Sequence, residues 1–126
     1  PLLVNQTTRF LNPAKDLVAP ETEGNFYEFR NYRLKPGKAV PWMKRFIDVM
    51  PVREKYSKNV CAWITEGPNP NEVCHLWAYA SLEQRMEARN GIAKESAWQE
   101  FAAAGREDLE EMHSTMLFPA GFSPLK

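Results

Sequence analysis

The stretch from Asn59 to Tyr79 constrains the fold more than any other. Two alternating runs, NVCAWITE (59–66) and NEVCHLWAY (71–79), flank a Gly-Pro-Asn-Pro cluster. Successive side chains on a strand point to opposite faces. A Gly/Pro/Asn cluster between two such runs marks a hairpin loop. An antiparallel pair is therefore predicted. On its first strand Val60, Ala62 and Ile64 oppose Cys61, Trp63 and Thr65; on its second Cys74, Leu76 and Ala78 oppose His75, Trp77 and Tyr79.

NFYEFRNYRLK (25–35) alternates in the same way and ends at Pro36-Gly37. Val40, Met43, Phe46, Ile47 and Met50 then recur at helical spacing, with Pro41 placed in the first turn and Pro51 expected to stop or kink the run. Ser81-x-x-Gln84 and Ser96-x-x-Gln99 read as capping boxes opening two more helical segments. The second carries Trp98, Phe101 and Ala102 inward; Gly105 interrupts it before Leu109 and Met112 continue the apolar side. Residues 113–119 are predicted as a last strand and 122–126 as a tail.

The order is β-α-β-β-α-β, a ferredoxin-like α+β fold with one antiparallel sheet and helices on one face. Phe29 and the aliphatic or small faces (Val60, Ala62, Ile64; Cys74, Leu76, Ala78) are expected against the helices. Tyr32, Trp63, His75, Trp77 and Tyr79 are then left on the helix-free side. Large aromatics each carry roughly 150–250 Å², and monomers rarely expose apolar patches beyond a few hundred Å². A second copy is the simplest cover, so a homodimeric α/β barrel enclosing a cavity is expected.

A chain of 126 residues suits one compact core. Lys plus Arg and Asp plus Glu number 16 each, so no electrostatic footprint for nucleic acid is present. No apolar run approaches the roughly 18–20 residues that span a bilayer, and membrane insertion is not expected. Cys61 and Cys74 have neither CxxC nor zinc-like spacing and read as buried thiols, a cross-strand disulfide being the alternative. Residues 1–24 form an arm or linker and 25–126 the domain. LVNQTTRFLNPA (3–14) echoes LEEMHSTMLFPA (109–120), which would make the arm the end of a preceding repeat and the partner a pseudo-dimer within one longer chain. The segment 7–11 is then free to add a strand to a sheet edge. Pro1 could serve as an N-terminal amine base, although the end of a processed repeat accounts for it better.

Glu28 and Arg30 lie two positions apart on one strand face, about 7 Å along the chain, and His75 can approach them across the sheet. The functional reading is a titratable base (His75 or Glu28) beside a cation, Arg30, that holds an anionic substrate. Tyr32, Trp63, Trp77 and Tyr79 would wall the site and favour a flat ligand. The bland reading is a buried ion pair with a hydrogen-bonded histidine. Arg85 and Arg89, at i and i+4, share a helix face where they clamp a carboxylate or, more simply, pair in solvent with Glu83 or Glu87. His75 and His113 stand in separate segments, and adjacent Cys74 and His75 point to opposite faces, so neither a metal nor a cofactor is expected.

Five ordered segments carry a family resemblance: YEFRNYRLKPGK (27–38), PVREKYSK (51–58), NEVCHLWAYASLEQR (71–85), AWQEF (97–101) and FSPLK (122–126). The chain resembles the NIPSNAP family over these. The resemblance implies ferredoxin-like domains paired as dimeric α/β barrels, often two per polypeptide. It implies a mitochondrial location in a eukaryote and a cytoplasmic one in a bacterium. It implies no one reaction; related barrels include cofactor-independent monooxygenases, so enzyme status stays open. The leading expectation is a small-molecule-binding barrel protein, with cofactor-independent acid–base chemistry (isomerisation or oxygenation) if it is an enzyme. The alternative is a non-enzymatic adaptor with a filled barrel.

Overall fold

The computed structural model describes residues 2–126; Pro1, and with it the amine base considered above, lies outside the described residues. Five strands and three helices follow in the order β1 (Phe10–Pro13), β2 (Phe26–Leu34), α1 (Ala39–Arg53), β3 (Lys58–Gly67), β4 (Glu72–Tyr79), α2 (Leu82–Ile92), α3 (Ser96–Gly105) and β5 (Leu109–Leu117), with one 3-10 turn at Arg106–Asp108. The strands form a single antiparallel sheet ordered β1-β3-β4-β2-β5. Without β1 this is the ferredoxin-like order, and the α+β expectation holds. β1 pairs along the free edge of β3, so the arm does add a strand, at Phe10–Pro13 rather than over residues 7–11.

The faces of β2 and β4 are reversed from the expectation, whereas β3 presents Ala62 and Ile64 to the helices as expected. Tyr32, Trp77 and Tyr79 are buried in one cluster with Trp42, Met43, Phe46 and Met50 of α1, and His75 packs edge-on or stacked against Tyr32, Trp42 and Phe46. The indole of Trp77 points in among the helices. Cys74, Leu76 and Ala78 lie on the helix-free face, where Ala78 and half-buried Leu76 pack with Tyr27, Val60 and Leu125 of the tail. Trp63, paired with Cys74, is the one expected aromatic that does lie on this face. Alternation says which residues share a face, not which face the helices choose. The large rings offer more apolar area than thiol and methyl groups, so burying them under α1 and α3 releases more free energy.

Val60 also departs from its strand's period. The β3–β4 register shifts between Asn59 and Cys61, leaving Val60 as the extra residue of a bulge. Ala62 and Ile64 keep to the helix side while Val60 joins the opposite cluster. Three boundaries move as well. α1 runs through Pro51 to Arg53 rather than stopping; a proline this close to a C-terminus disturbs only the last turn. Leu109 and Met112 belong to β5, not to a continued helix. Ser81 caps α2, accepting from the Gln84 N–H at 3.0 Å, whereas the cap of α3 is Glu95 with no side-chain bond and Ser96 is already helical. Cys61 and Cys74 are buried free thiols.

Candidate functional site

The ladder between β2 and β4 sets Arg30 directly across from His75, Glu28 across from Trp77 and Tyr32 across from Val73. This row faces the helices. Between it and α1, α2 and α3 lies a cavity of about 380 Å³, walled on the sheet side by Arg30, Tyr32, His75 and Trp77, on α1 by Trp42, Phe46 and Arg53, and on α3 by Trp98 and Phe101. Arg89, Arg106 and Met112 stand at its margin. Among the described residues four arginines line it and no carboxylate does.

Glu28 is fully buried behind Arg30. It accepts from Arg30 Nη1 at 2.7 Å and from Arg85 Nε. Burial alone would raise the pKa of Glu28, but its bonds to Arg85 and Arg30 outweigh that and hold it below the usual carboxylate range. A carboxylate locked by two guanidiniums is a poor proton acceptor. Arg30 also donates from Nε to the Tyr32 hydroxyl at 2.6 Å, which orients its plane. Burial works against the charge of Arg30, yet Tyr32 and Glu28 keep its pKa raised. Burial also pushes the Tyr32 phenol up, so it is a neutral hydroxyl near neutral pH.

Arg53 was not among the expected site residues. It is 4% exposed, donates to the Ser57 hydroxyl and to Tyr79 Oη at 3.2 Å, and lies 4.2 Å over the Trp77 ring and 5.6 Å from that of Trp98. Among the described residues it has no carboxylate partner. Burial lowers its pKa, but guanidinium remains charged under all ordinary conditions. Its sequence signal was present: Phe46, Val49, Met50 and Arg53 continue the buried stripe at helical spacing, and only the expected stop at Pro51 hid it.

His75 is 3% exposed. Its Nδ1 accepts from the indole N–H of Trp77 at 2.6 Å, and its Nε2 is buried without a partner. Burial, then the charges of Arg30 and Arg53, push its pKa well below the usual imidazole value.

The expected residues thus divide. Arg30, Tyr32, His75, Trp77 and Arg89 line the cavity; Glu28 and Tyr79 stand behind its wall as partners of Arg30 and Arg53. Arg85 pairs with Glu28, not with Glu83 or Glu87, and stands outside the cavity lining that Arg89 joins. Trp63 is on the far side of the sheet. Among the described residues no group of His, Cys, Asp or Glu could hold a metal ion, and no helix is long and apolar enough to cross a membrane.

A NIPSNAP family model matches residues 27–124. The chain belongs to the NIPSNAP family. It is 31% identical to Protein NipSnap of Drosophila melanogaster over 107 residues, covering 85% of this chain and 39% of that protein. It spans between one third and about two fifths of the curated family members it matches. A NIPSNAP family crystal structure from Agrobacterium tumefaciens is similar at 30% identity with a TM-score of 0.77, covering 86% of this chain and all of that one. A putative monooxygenase from Lactobacillus acidophilus shares the fold alone, at 14% identity and a TM-score of 0.64 over 81% of this chain and 48% of that one.

Proposed function

We propose that this NIPSNAP-family chain binds a small, flat, anionic molecule in the cavity between its sheet and its helices. Arg53 carries the reading. Removing an ion from water costs several kcal/mol after relaxation, and buried charges ordinarily have a counter-ion. The hydroxyls of Ser57 and Tyr79 and the indole of Trp77 offset part of that cost, but none carries negative charge. Arg30, Arg89 and Arg106 add positive potential, and the rings of Trp42, Trp77, Trp98 and Phe101 suit a flat apolar body. The cavity lies between the sheet and the helices rather than between two facing sheets, and its presence supports a bound ligand. If the chain is an enzyme, cofactor-independent chemistry on an enolate-forming or electron-rich substrate fits best, with Arg30 stabilising negative charge as it develops.

The cover for this site is a second copy, or a preceding repeat, at the β5 edge. Met112 and Met116, on the helix-facing side of β5, are 53% and 39% exposed, and Phe118 beyond them is 81% exposed; such an edge invites pairing. Light scattering on a sizing column tests it, with twice the protomer mass expected and a stable monomer contradicting it. The binding proposal itself is tested by titrating the protein with benzoate, benzamide and benzylamine, which are similar in size and differ in charge. Benzoate should bind at least tenfold more tightly than the other two; equal or reversed affinities overturn the proposal.

A further inference from the structure

The tautomer of His75 follows from its neighbour. An indole N–H only donates, so Nδ1, which receives the Trp77 bond at 2.6 Å, presents its lone pair. A neutral ring must then carry its proton on Nε2. That N–H is buried and has no acceptor among the described residues. The cavity wall supplies none: its side chains there are arginines, aromatics and aliphatics, and the Tyr32 hydroxyl is already engaged by Arg30. The ring cannot turn to find one, because Tyr32 at 4.9 Å, Phe46 at 4.8 Å and Trp42 at 6.1 Å between centroids pack around it.

From this we infer that His75 is a fixed hydrogen-bond donor that selects ligands bearing a second, uncharged acceptor oxygen besides their anionic group. The inference deepens the anion-binding proposal and rests on it. The same indole, Trp77, holds both recognition groups: its N–H sets the His75 tautomer and its face carries the Arg53 guanidinium at 4.2 Å. A ligand whose anion lies at Arg53 therefore has its other end near His75 when the body of the molecule crosses Trp77. Ligands of this class are keto, aldehydo or enol acids on a flat frame. On this reading His75 is not the base that the sequence suggests, because its unpartnered nitrogen already holds its proton. In a reaction that builds charge on the second oxygen, His75 stabilises that charge and leaves proton removal to another group.

The experiment compares 3- and 4-acetylbenzoate with the similarly sized 3- and 4-isopropylbenzoates in the wild-type protein, H75Q and H75L, while nitrogen-15 NMR reads the His75 tautomer. We expect an acetyl isomer to bind about tenfold more tightly than its isopropyl counterpart, since an unmet buried donor is penalised by roughly that factor. H75Q, which keeps a donor, should retain the preference, and H75L should lose it. The wild-type ring should show a protonated Nε2. A proton on Nδ1, or no acetyl preference in a protein that still prefers benzoate to benzylamine, overturns the role of His75 alone. Failure to prefer benzoate overturns the anion reading and this inference with it.

Discussion

Replacing Arg53 with Met separates a structural guanidinium from a binding one. Methionine keeps much of the volume and the packing against Trp77 but removes the charge. Breaking an ordinary buried ion pair costs about 3–5 kcal/mol, because the remaining partner is left charged and unmatched. Among the described residues there is no such partner: the groups released are the hydroxyls of Ser57 and Tyr79. Relief of guanidinium desolvation further offsets the two lost hydrogen bonds and the contact with Trp77. The R53M protein should therefore unfold in urea within about 2 kcal/mol of wild type. Binding should behave otherwise. Removing one member of a buried charge pair costs about 2–5 kcal/mol, so benzoate affinity should fall from about thirtyfold to several-thousandfold. Quenching of the cavity tryptophans (42, 77 and 98) reports occupancy directly. An R53M protein that loses more than about 4 kcal/mol of stability yet binds benzoate normally would refute the reasoning, making Arg53 a cross-brace.

Glu28→Gln should destabilise by about 3–5 kcal/mol in urea unfolding, since Arg30 and Arg85 lose a shared buried carboxylate. Because the folded pKa of Glu28 lies below the usual glutamate value of 4.5, its contribution is complete above that value and is lost as pH falls through the folded pKa; E28Q should lack that acid-dependent component. His75 has the same sign by another route: its folded pKa lies below the usual 6.5, so the unfolded chain takes up the proton first. Stability should fall as pH drops below 6.5, by up to about 1.4 kcal/mol per pH unit, and H75Q should remove that slope in urea titrations at pH 5 to 7. Gly91→Ala should destabilise α2 by about 1–3 kcal/mol in thermal unfolding despite alanine's better helix propensity, because a Cβ there would meet the Tyr56 ring at 2.5 Å.

Most of the architecture was legible because it is written in period. The alternation of 59–66 and 71–79 across a Gly-Pro-Asn-Pro loop gave the β3–β4 hairpin, and the Ser81-x-x-Gln84 box marked the start of α2. The grouping of Arg30, Tyr32, His75 and Trp77 on one face was also readable from period two. The choice of face was not, since both sides of β4 are apolar enough to be buried and the decision rests on how much area α1 and α3 can cover. Ala78 accepts the helix-free side because Tyr27, Val60 and Leu125 of the tail pack with it, and Cys74 does so beside Thr65 and Glu72. The bulge at Val60 leaves no mark in NVCAWITE, for it depends on pairing with β4. Arg53 was lost for a local reason: Pro51 suggested an end, and one more turn of α1 carries the guanidinium into the cavity. The tautomer of His75 needed the 2.6 Å contact with Trp77, which spacing alone only permits.

The most direct measurement is a crystal structure grown with 4-bromobenzoate, located by the anomalous signal of bromine. The account predicts one strong peak between the sheet and α3, with the carboxylate within hydrogen-bond distance of Arg53. Bromine confined to the outer surface, or a cavity closed by side chains with Arg53 turned to solvent, would contradict it.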